Sequence, residues 1–446
     1  MMGTTEQGLL DKASALIKAA KEAGADASDV VAIRTRSSSI KVRLGKIEAS
    51  ESGESCDFSL RVFIGSRMAS ISANLASKPD IFASRVLEMA KASPRNLYEG
   101  LADDSLLIRT PQDLDLFDSY EATTQKMIED ALTTEAAALA VLGVTNSGGA
   151  SICQSIYSFV LVTSRGFCGH YMSSHFGRSC SAIAGKGTAM ERDYDYSSAL
   201  HFADMETCES VGKNAGERAV RRLSARQAKT SLVNVVFDPR MARTIANHLA
   251  AMLNGASVAR KTSLLCGKLD QRIMRPGVRV SDNPLRKRGV ASQPFDGEGV
   301  EGIPLDIIED GVLKTWLLSC SAALELGLKT NGRAIRSSSS VPPSCTNFAI
   351  EAGNITPEDM IKDIGKGFYV TELFGHGVDL VTGQYSRGAS GFWIENGILT
   401  YPISEVTLGS NLSHILTHLI PANDLDRRYA ISAPTVLIEG MILAGK

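Results

Sequence analysis

"SLVNVVFDPRMARTIANHLAAMLNG", residues 231–255, sets the plan of the second half of this chain. The valine-rich run 231–237 reads as a strand. Asp238-Pro239 follows, an N-cap and a proline at the first helical position, so the strand turns directly into a helix. The helix stops on Gly255 and carries one histidine, His248. Two questions follow: which sheet the strand joins, and whether the helix is built to hold a metal.

Downstream, two hairpins stand out, 306-DIIEDGVLKTWLL-318 and 392-FWIENGILTYPI-403. Asp-Gly and Asn-Gly supply the positive φ angles that two-residue hairpin turns need. A helix near 411–420 and a last strand at 435–443 complete the segment. Many hairpins and few helices predict a large, mostly antiparallel sheet in residues 229–446.

Upstream, Leu9, Leu10, Ala13, Leu16, Ile17 and Ala20 recur at helical spacing until Gly24. Short β-rich runs follow at 30–36, 40–50, 57–65 and 67–72, and Phe58, Leu60, Val62 and Ile64 alternate as a half-buried strand does. Gly65-Ser66 suits a tight turn. A second helix over 79–92 precedes a linker at 93–118. A similar order then recurs: a helix over 119–142, strands and hairpins over 144–190 with a turn at Arg165-Gly166, and a helix over 204–224. The fold class is therefore α+β, with units at 1–115, 116–228 and 229–446. The repeated order is compatible with an internal duplication, although the two sequences differ.

With 446 residues the chain exceeds one ordinary core, which agrees with several domains. Lys and Arg number 47 against 49 Asp and Glu, so no broad basic surface is available for nucleic acid. The densest basic run, 285-LRKR-288, reads as a solvated loop. The start lacks the basic and apolar regions of a secretory leader, and the early apolar run 136–144 is too short to span a membrane. Eight cysteines are scattered without a CxxC pair, which predicts reduced thiols and a cytoplasmic setting.

Zinc hydrolysis needs clustered ligands and a carboxylate base. His248 has no ligand three or four residues on. In 414-HILTH-418, His414 and His418 share a helix side, yet no glutamate follows the first. Cys168, His170, His175 and Cys180 lie close in sequence, but strand parity separates His175 from the first two. Asp296, Glu298 and Glu301 in 295-FDGEGVEG-302 can hold a hard cation or bond loop amides; the glycines favour the loop. No dinucleotide fingerprint, P-loop or nucleophile elbow is present, and the glycine-rich run 375–391 is not followed by a phosphate-cradling helix.

A resemblance gives these residues a context. The stretches 237-FDP-239, 255-GASVARKTSLL-265, 281-SDNP-284, 295-FDGEGV-300, 310-DGVLKTWLL-318, 347-NFAIEAGN-354, 394-IENG-397 and 422-ANDLD-426, in this order, resemble the TldD/PmbA family, and within it the PmbA (TldE) branch. The resemblance covers residues 230–446 strongly and the N-terminal half in element order. It implies a cytoplasmic TldD–TldE metallopeptidase that acts on unfolded peptides and modified peptide precursors. The TldD branch carries an HExxxH zinc helix and a third, cysteine ligand near the C-terminus. Aligned on Leu253, Asn254 and Gly255, the two metal histidines fall on Ala246 and Ala251, the catalytic glutamate on Asn247, and His248 on a position that is not a ligand. The segment 426-DRRYAISAP-434 has no cysteine. Asp270 stands where the family commonly has glycine.

The resemblance therefore implies a non-catalytic subunit with no zinc of its own, paired with a zinc-bearing TldD-type chain. It would wall a chamber for peptide substrate and dimerise with itself when isolated. Its hairpins offer edges on which an extended peptide can add a strand. Two alternatives are a self-sufficient metallopeptidase using His414/His418 or Cys168–Cys180, and a non-proteolytic regulator that contacts DNA gyrase or toxin–antitoxin proteins.

Overall fold

The computed structural model describes residues 4–74, 78–336 and 340–446. In the N-terminal half, α1 (Thr4–Ala23) leads into β1 (Ala27–Arg43), β2 (Lys46–Ile64), β3 (Arg67–Asn74) and α2 (Pro79–Ala92). The next set is α3 (Thr124–Leu139), β4 (Val144–Thr163), β5 (Cys168–Ala184), β6 (Glu191–Ala199) and α4 (Cys208–Arg221). All six strands form one antiparallel sheet in the order β3-β2-β1-β4-β5-β6. Its central pair, β1 and β4, runs in register from Asp29 opposite Thr163 to Val42 opposite Ala150.

Several boundaries differ from the sequence reading. The run 30–36 is part of the 17-residue β1, and 40–50 is not one strand but the end of β1, a turn at Leu44-Gly45 and the start of the 19-residue β2. The stretches Ser37–Ser39 and Ser50–Ser55 within these strands carry no apolar alternation, and the backbone ladder carries the strands through them to the buried Ile40 and Val42 of β1. Helix α3 starts at Thr124 because the Thr123 hydroxyl accepts the amide N–H of Lys126 at 3.2 Å. Thr207 does the same for α4 through Ser210 at 3.1 Å.

One face of this sheet is covered by helices. Helices α1 and α2 pack on Val30, Ala32, Phe58, Leu60 and Val160, and α3 and α4 on Ile40, Val42, Ala150 and Ala182. The opposite face receives the C-terminal half: Val31, Phe159, Leu161 and Phe167 enclose Phe295. Gly169 permits that approach, since a Cβ there would lie 2.6 Å from the Phe295 ring.

The C-terminal half contains β7 (Ser231–Phe237), α5 (Pro239–Met252), α6 (Gly255–Ala259), β8 (Val280–Asp282), β9 (Leu305–Glu309), β10 (Val312–Leu313), α7 (Cys320–Leu326), β11 (Phe348–Ile350) and α8 (Pro357–Lys362). It continues with β12 (Lys366–Val378), β13 (Gln384–Glu395), β14 (Ile398–Asn411), α9 (Leu412–His418), β15 (Leu419–Pro421), β16 (Ile431–Ser432) and β17 (Val436–Ala444). The segment is β-rich and mostly antiparallel, with its strands divided between two sheets. The larger is β14-β13-β12-β7-β17-β15, in which β7 runs parallel to β12. Strand β14 also pairs with β17, so this sheet curls round. The smaller is β10-β9-β8-β11-β16. Strand β7 is central and buried on both faces: Val235 and Phe237 meet the core around α5, and Val236 meets Met360 and Ile364 behind it. Both hairpin turns have the expected positive φ, 46° and 76° at Asp310-Gly311 and 50° and 77° at Asn396-Gly397.

The run 285–288 is not a simple solvated loop. Arg288 pairs with Asp115 at 2.6 Å and Asp204 at 3.1 Å, tying the linker and the second unit to the C-terminal half. Asp270 has φ of 60°, which explains why glycine suits that position. Among the described residues no helix is long and apolar enough to cross a membrane.

Candidate functional site

Helix α5 is amphipathic, and its two sides separate core from cleft. The Asp238 carboxylate accepts the Met241 amide N–H at 2.8 Å and closes the N-terminus. Met241, Ala242, Ile245, Ala246, Leu249 and Met252 enter the core. Asn247 and Ala251 are exposed, and Arg240, Arg243 and His248 are half-buried. Of the three degenerate zinc-helix positions, Ala246 is 0% exposed while Asn247 and Ala251 face outward. Alanine offers no lone pair, so the donor set at 246, 247 and 251 does not fit zinc. Among the described residues no group of three His, Cys, Asp or Glu side chains is placed to hold a metal ion. Burial, and then the Arg387 charge, push the pKa of His248 down.

The segment 426–434 packs against α5. The Arg243 guanidinium lies 3.7 Å above the centre of the Tyr429 ring, and the Tyr196 ring sits 5.5 Å from that ring. Folding has therefore brought together the helix and the C-terminal segment to which the resemblance assigns the zinc ligands, although neither carries one.

The other sequence candidates separate. His414 and His418 stack, with ring centroids 3.9 Å apart. His414 Nε2 lies 2.8 Å from the Glu439 carbonyl oxygen, and His418 Nδ1 lies 2.9 Å from that of His414. One nitrogen of each ring is thereby engaged by backbone rather than aimed at a shared point. Cys168 and Cys180 stand at opposite ends of β5, about 40 Å apart at 3.3 Å per residue. Cys168 and His170 are exposed, His175 Nε2 meets the Ser198 hydroxyl at 2.9 Å, and Cys180 is buried under α4 with its thiol pushed up to about 12. Asp296 and Glu298 are buried and bond loop amides, whereas Glu301 is exposed. Asp296 accepts the N–H groups of Glu298, Val300 and Ala334 at 2.8, 2.9 and 3.0 Å; Glu298 accepts that of Cys320 at 2.8 Å. Burial, then the neighbouring Glu298 charge, push the Asp296 carboxyl up to about 7.

What the sequence reading missed is a cleft of about 730 Å³ over the outer side of α5. Its walls come from β6, α4, α5, α8, the β12–β14 strands and residues 426–433. Six basic side chains line it, Arg218, Arg221, Arg240, Arg243, Lys362 and Arg428, with four acidic ones, Asp193, Asp238, Glu358 and Asp426. The spacing of Arg218 with Arg221 and of Arg240 with Arg243 puts two arginines on one side of each helix. That local signal was present, but nothing in it says that the two helices face a common space.

Three family models match in succession: domain 1, the central domain and the C-terminal domain of the PmbA/TldA metallopeptidases, at residues 28–96, 117–223 and 230–445. The metalloprotease PmbA of Escherichia coli O157:H7 is 35% identical, over 94% of this chain and 93% of that protein. A PmbA homologue of Haemophilus influenzae is 32% identical over 100% and 98%. This chain belongs to the PmbA/TldD metallopeptidase family, on its PmbA/TldE side. Its fold is similar to a Bacteroides thetaiotaomicron protein described as a candidate modulator of DNA gyrase, with TM-score 0.90, 24% identity and full coverage of both chains. It is also similar to TldE of Thermococcus kodakarensis, with TM-score 0.84, 18% identity and coverage of 97% and 99%.

Proposed function

We propose that this chain is the non-catalytic, TldE-type subunit of a cytoplasmic TldD/TldE-like metallopeptidase acting on unfolded or modified peptides. The observation that supports the reading is the contact between α5 and the 426–434 segment, the two stretches on which the resemblance places the zinc ligands, while Ala246, Asn247 and Ala251 offer neither imidazole nor carboxylate. In this reading the zinc and its activated water belong to a TldD-type partner. This chain contributes walls and peptide contacts.

The name of the Escherichia coli relative supports a second reading, a peptidase complete in itself. It would need ligands from elsewhere in the chain, and neither His414/His418 nor Cys168–Cys180 converges on one point. One experiment separates the two. The chain is co-expressed with a TldD-type chain, the complex is purified, and cleavage of an unstructured peptide is measured for each component and for the mixture. Cleavage only by the mixture supports the subunit reading. Chelator-sensitive cleavage by this chain alone overturns it.

A further inference from the structure

We propose that the cleft over α5 is a binding site for the carboxylate of a peptide, gripped by Arg221 and Arg243. The peptide identity rests on the function proposed above; the anion site rests on the cleft itself.

Most charges in the cleft are already matched. Arg218 pairs with Asp195 at 2.5 Å, and Arg240 with Asp193 at 3.1 Å and Asp238 at 3.3 Å. Arg428 holds Asp426 at 2.7 Å and also Glu206, and Lys362 holds Asp359 at 2.7 Å. Three of the four lining carboxylates are thereby taken, and Glu358 is exposed on α8. Among the described residues, neither Arg221 nor Arg243 has a carboxylate within ion-pairing distance.

Both guanidiniums are nevertheless positioned. Arg221 lies over the Phe392 ring with its Cζ 5.1 Å from the centre, and Arg243 lies over Tyr429 at 3.7 Å. A guanidinium laid on an aromatic ring keeps its N–H edges for a planar oxyanion, the arrangement that suits a carboxylate. A further polar group is unsatisfied in the same lining. Thr371 is only 9% exposed, and its hydroxyl has no hydrogen-bond partner. Among the described residues, Arg221 and Arg243 thus line the cleft without an ion-pair partner of their own, in a volume within the range of small-molecule sites.

The apolar lining selects among anions. Ile361, Phe392, Ile398 and Leu399 share the walls, and Ile398 is 64% exposed at the tip of the β13–β14 hairpin. A bare inorganic ion leaves that surface wet. A peptide with an apolar residue beside its carboxylate covers it while the arginines take the charge.

The test uses fluorescence anisotropy on the isolated full chain. The probe is a fluorescein-labelled hexapeptide of Glu and Leu with a free C-terminus, compared with its Gln-containing, C-amidated counterpart. The acidic peptide is expected to bind, and the neutral one to bind at least about tenfold more weakly, the loss typical of a charge-assisted hydrogen bond. The variant Arg221→Gln/Arg243→Gln is expected to show the same loss. Arg226→Gln, which removes a guanidinium stacked on Tyr401 outside this cleft, is expected to bind as the parent does. If the double variant is unfolded by circular dichroism, Arg221→Gln alone decides, because Arg221 is exposed. Equal binding of the two peptides, or unchanged binding by the folded arginine variants, overturns the site. Displacement of the peptide by an equal concentration of inorganic phosphate overturns the peptide assignment. A chain that activates a TldD-type partner on neutral peptides but ignores the acidic probe sinks this inference alone. A chain that binds the probe but associates with no such partner sinks only the function proposed above.

Discussion

At Ala246 the packing of the helix works against a zinc ligand. The side chain is fully buried, so Ala246→His forces an imidazole into a filled core, at a cost of about 1–3 kcal/mol. Asn247→Glu and Ala251→His sit on the exposed side and are expected to shift stability by less than about 0.5 kcal/mol each. Urea unfolding of the three single variants checks this order. The triple variant is expected to gain no chelator-sensitive peptide cleavage, because no third ligand from 426–434 meets its two imidazoles and no partner orients them; measurable cleavage would refute that. Asp296 makes a separate prediction. Its carboxyl rises from an ordinary value near 3.8 to about 7 through burial and then the Glu298 charge. A raised folded value favours the protonated folded form. Its contribution to stability is full below about pH 4 and is lost as pH climbs through 7. The urea midpoint of Asp296→Asn is therefore expected to vary less between pH 4 and 7 than that of the parent; identical profiles would exclude Asp296 as the source.

Between elements, the central hairpin of the first sheet is bound to the C-terminal half by charge. Asp29 on β1 meets Arg61 on β2 at 2.5 Å and also pairs with Arg336, and all three side chains are almost wholly buried. Burial alone would raise the Asp29 carboxyl; the Arg336 and Arg61 charges overcome it and hold the pKa near 2, against 3.8 ordinarily. A lowered folded value stabilises above pH 3.8, and that part is lost as pH falls through 2. Asp29→Asn leaves two buried guanidiniums without their anion, for which about 3–5 kcal/mol of destabilisation is expected. Its acid unfolding is expected to depend less on pH between 2 and 4. A neutral Asp29→Asn would mean that Arg61 and Arg336 are satisfied elsewhere.

For the whole molecule the open question is assembly. Leu232 and Ile442 pair across β7 and β17 and are 71% and 52% exposed, an apolar step on a sheet face that water covers poorly. A peptidase half whose chamber is closed by another chain needs a large contact, on the order of 2,000 Å² for an obligate pair. Under the function proposed above, an equivalent surface would pair with itself in isolation and a TldD-type chain would replace the copy. Sedimentation velocity is expected to show a concentration-dependent dimer that exchanges to a 1:1 complex when a TldD-type chain is added. A strict monomer at high micromolar concentration that also ignores such a chain would remove the subunit reading.

What the sequence by itself determined is local or compositional. Asp238-Pro239 starts α5, and Asp310-Gly311 and Asn396-Gly397 turn their hairpins, because caps and positive-φ turns are set within a few residues. The identities of Ala246, Asn247 and Ala251 are likewise read directly from the chain. The full length of β1 and β2 was not legible: the serines at 37–39 and 50–55 carry no apolar pattern, and pairing along the backbone continues the strands through them. Tertiary structure alone placed both N-terminal units in one sheet, set the 426–434 segment against α5, and turned arginines from three separate stretches toward one cleft. Those outcomes depend on which apolar faces bury each other across the chain, and that free energy is shared among many residues, so no single stretch of sequence records it.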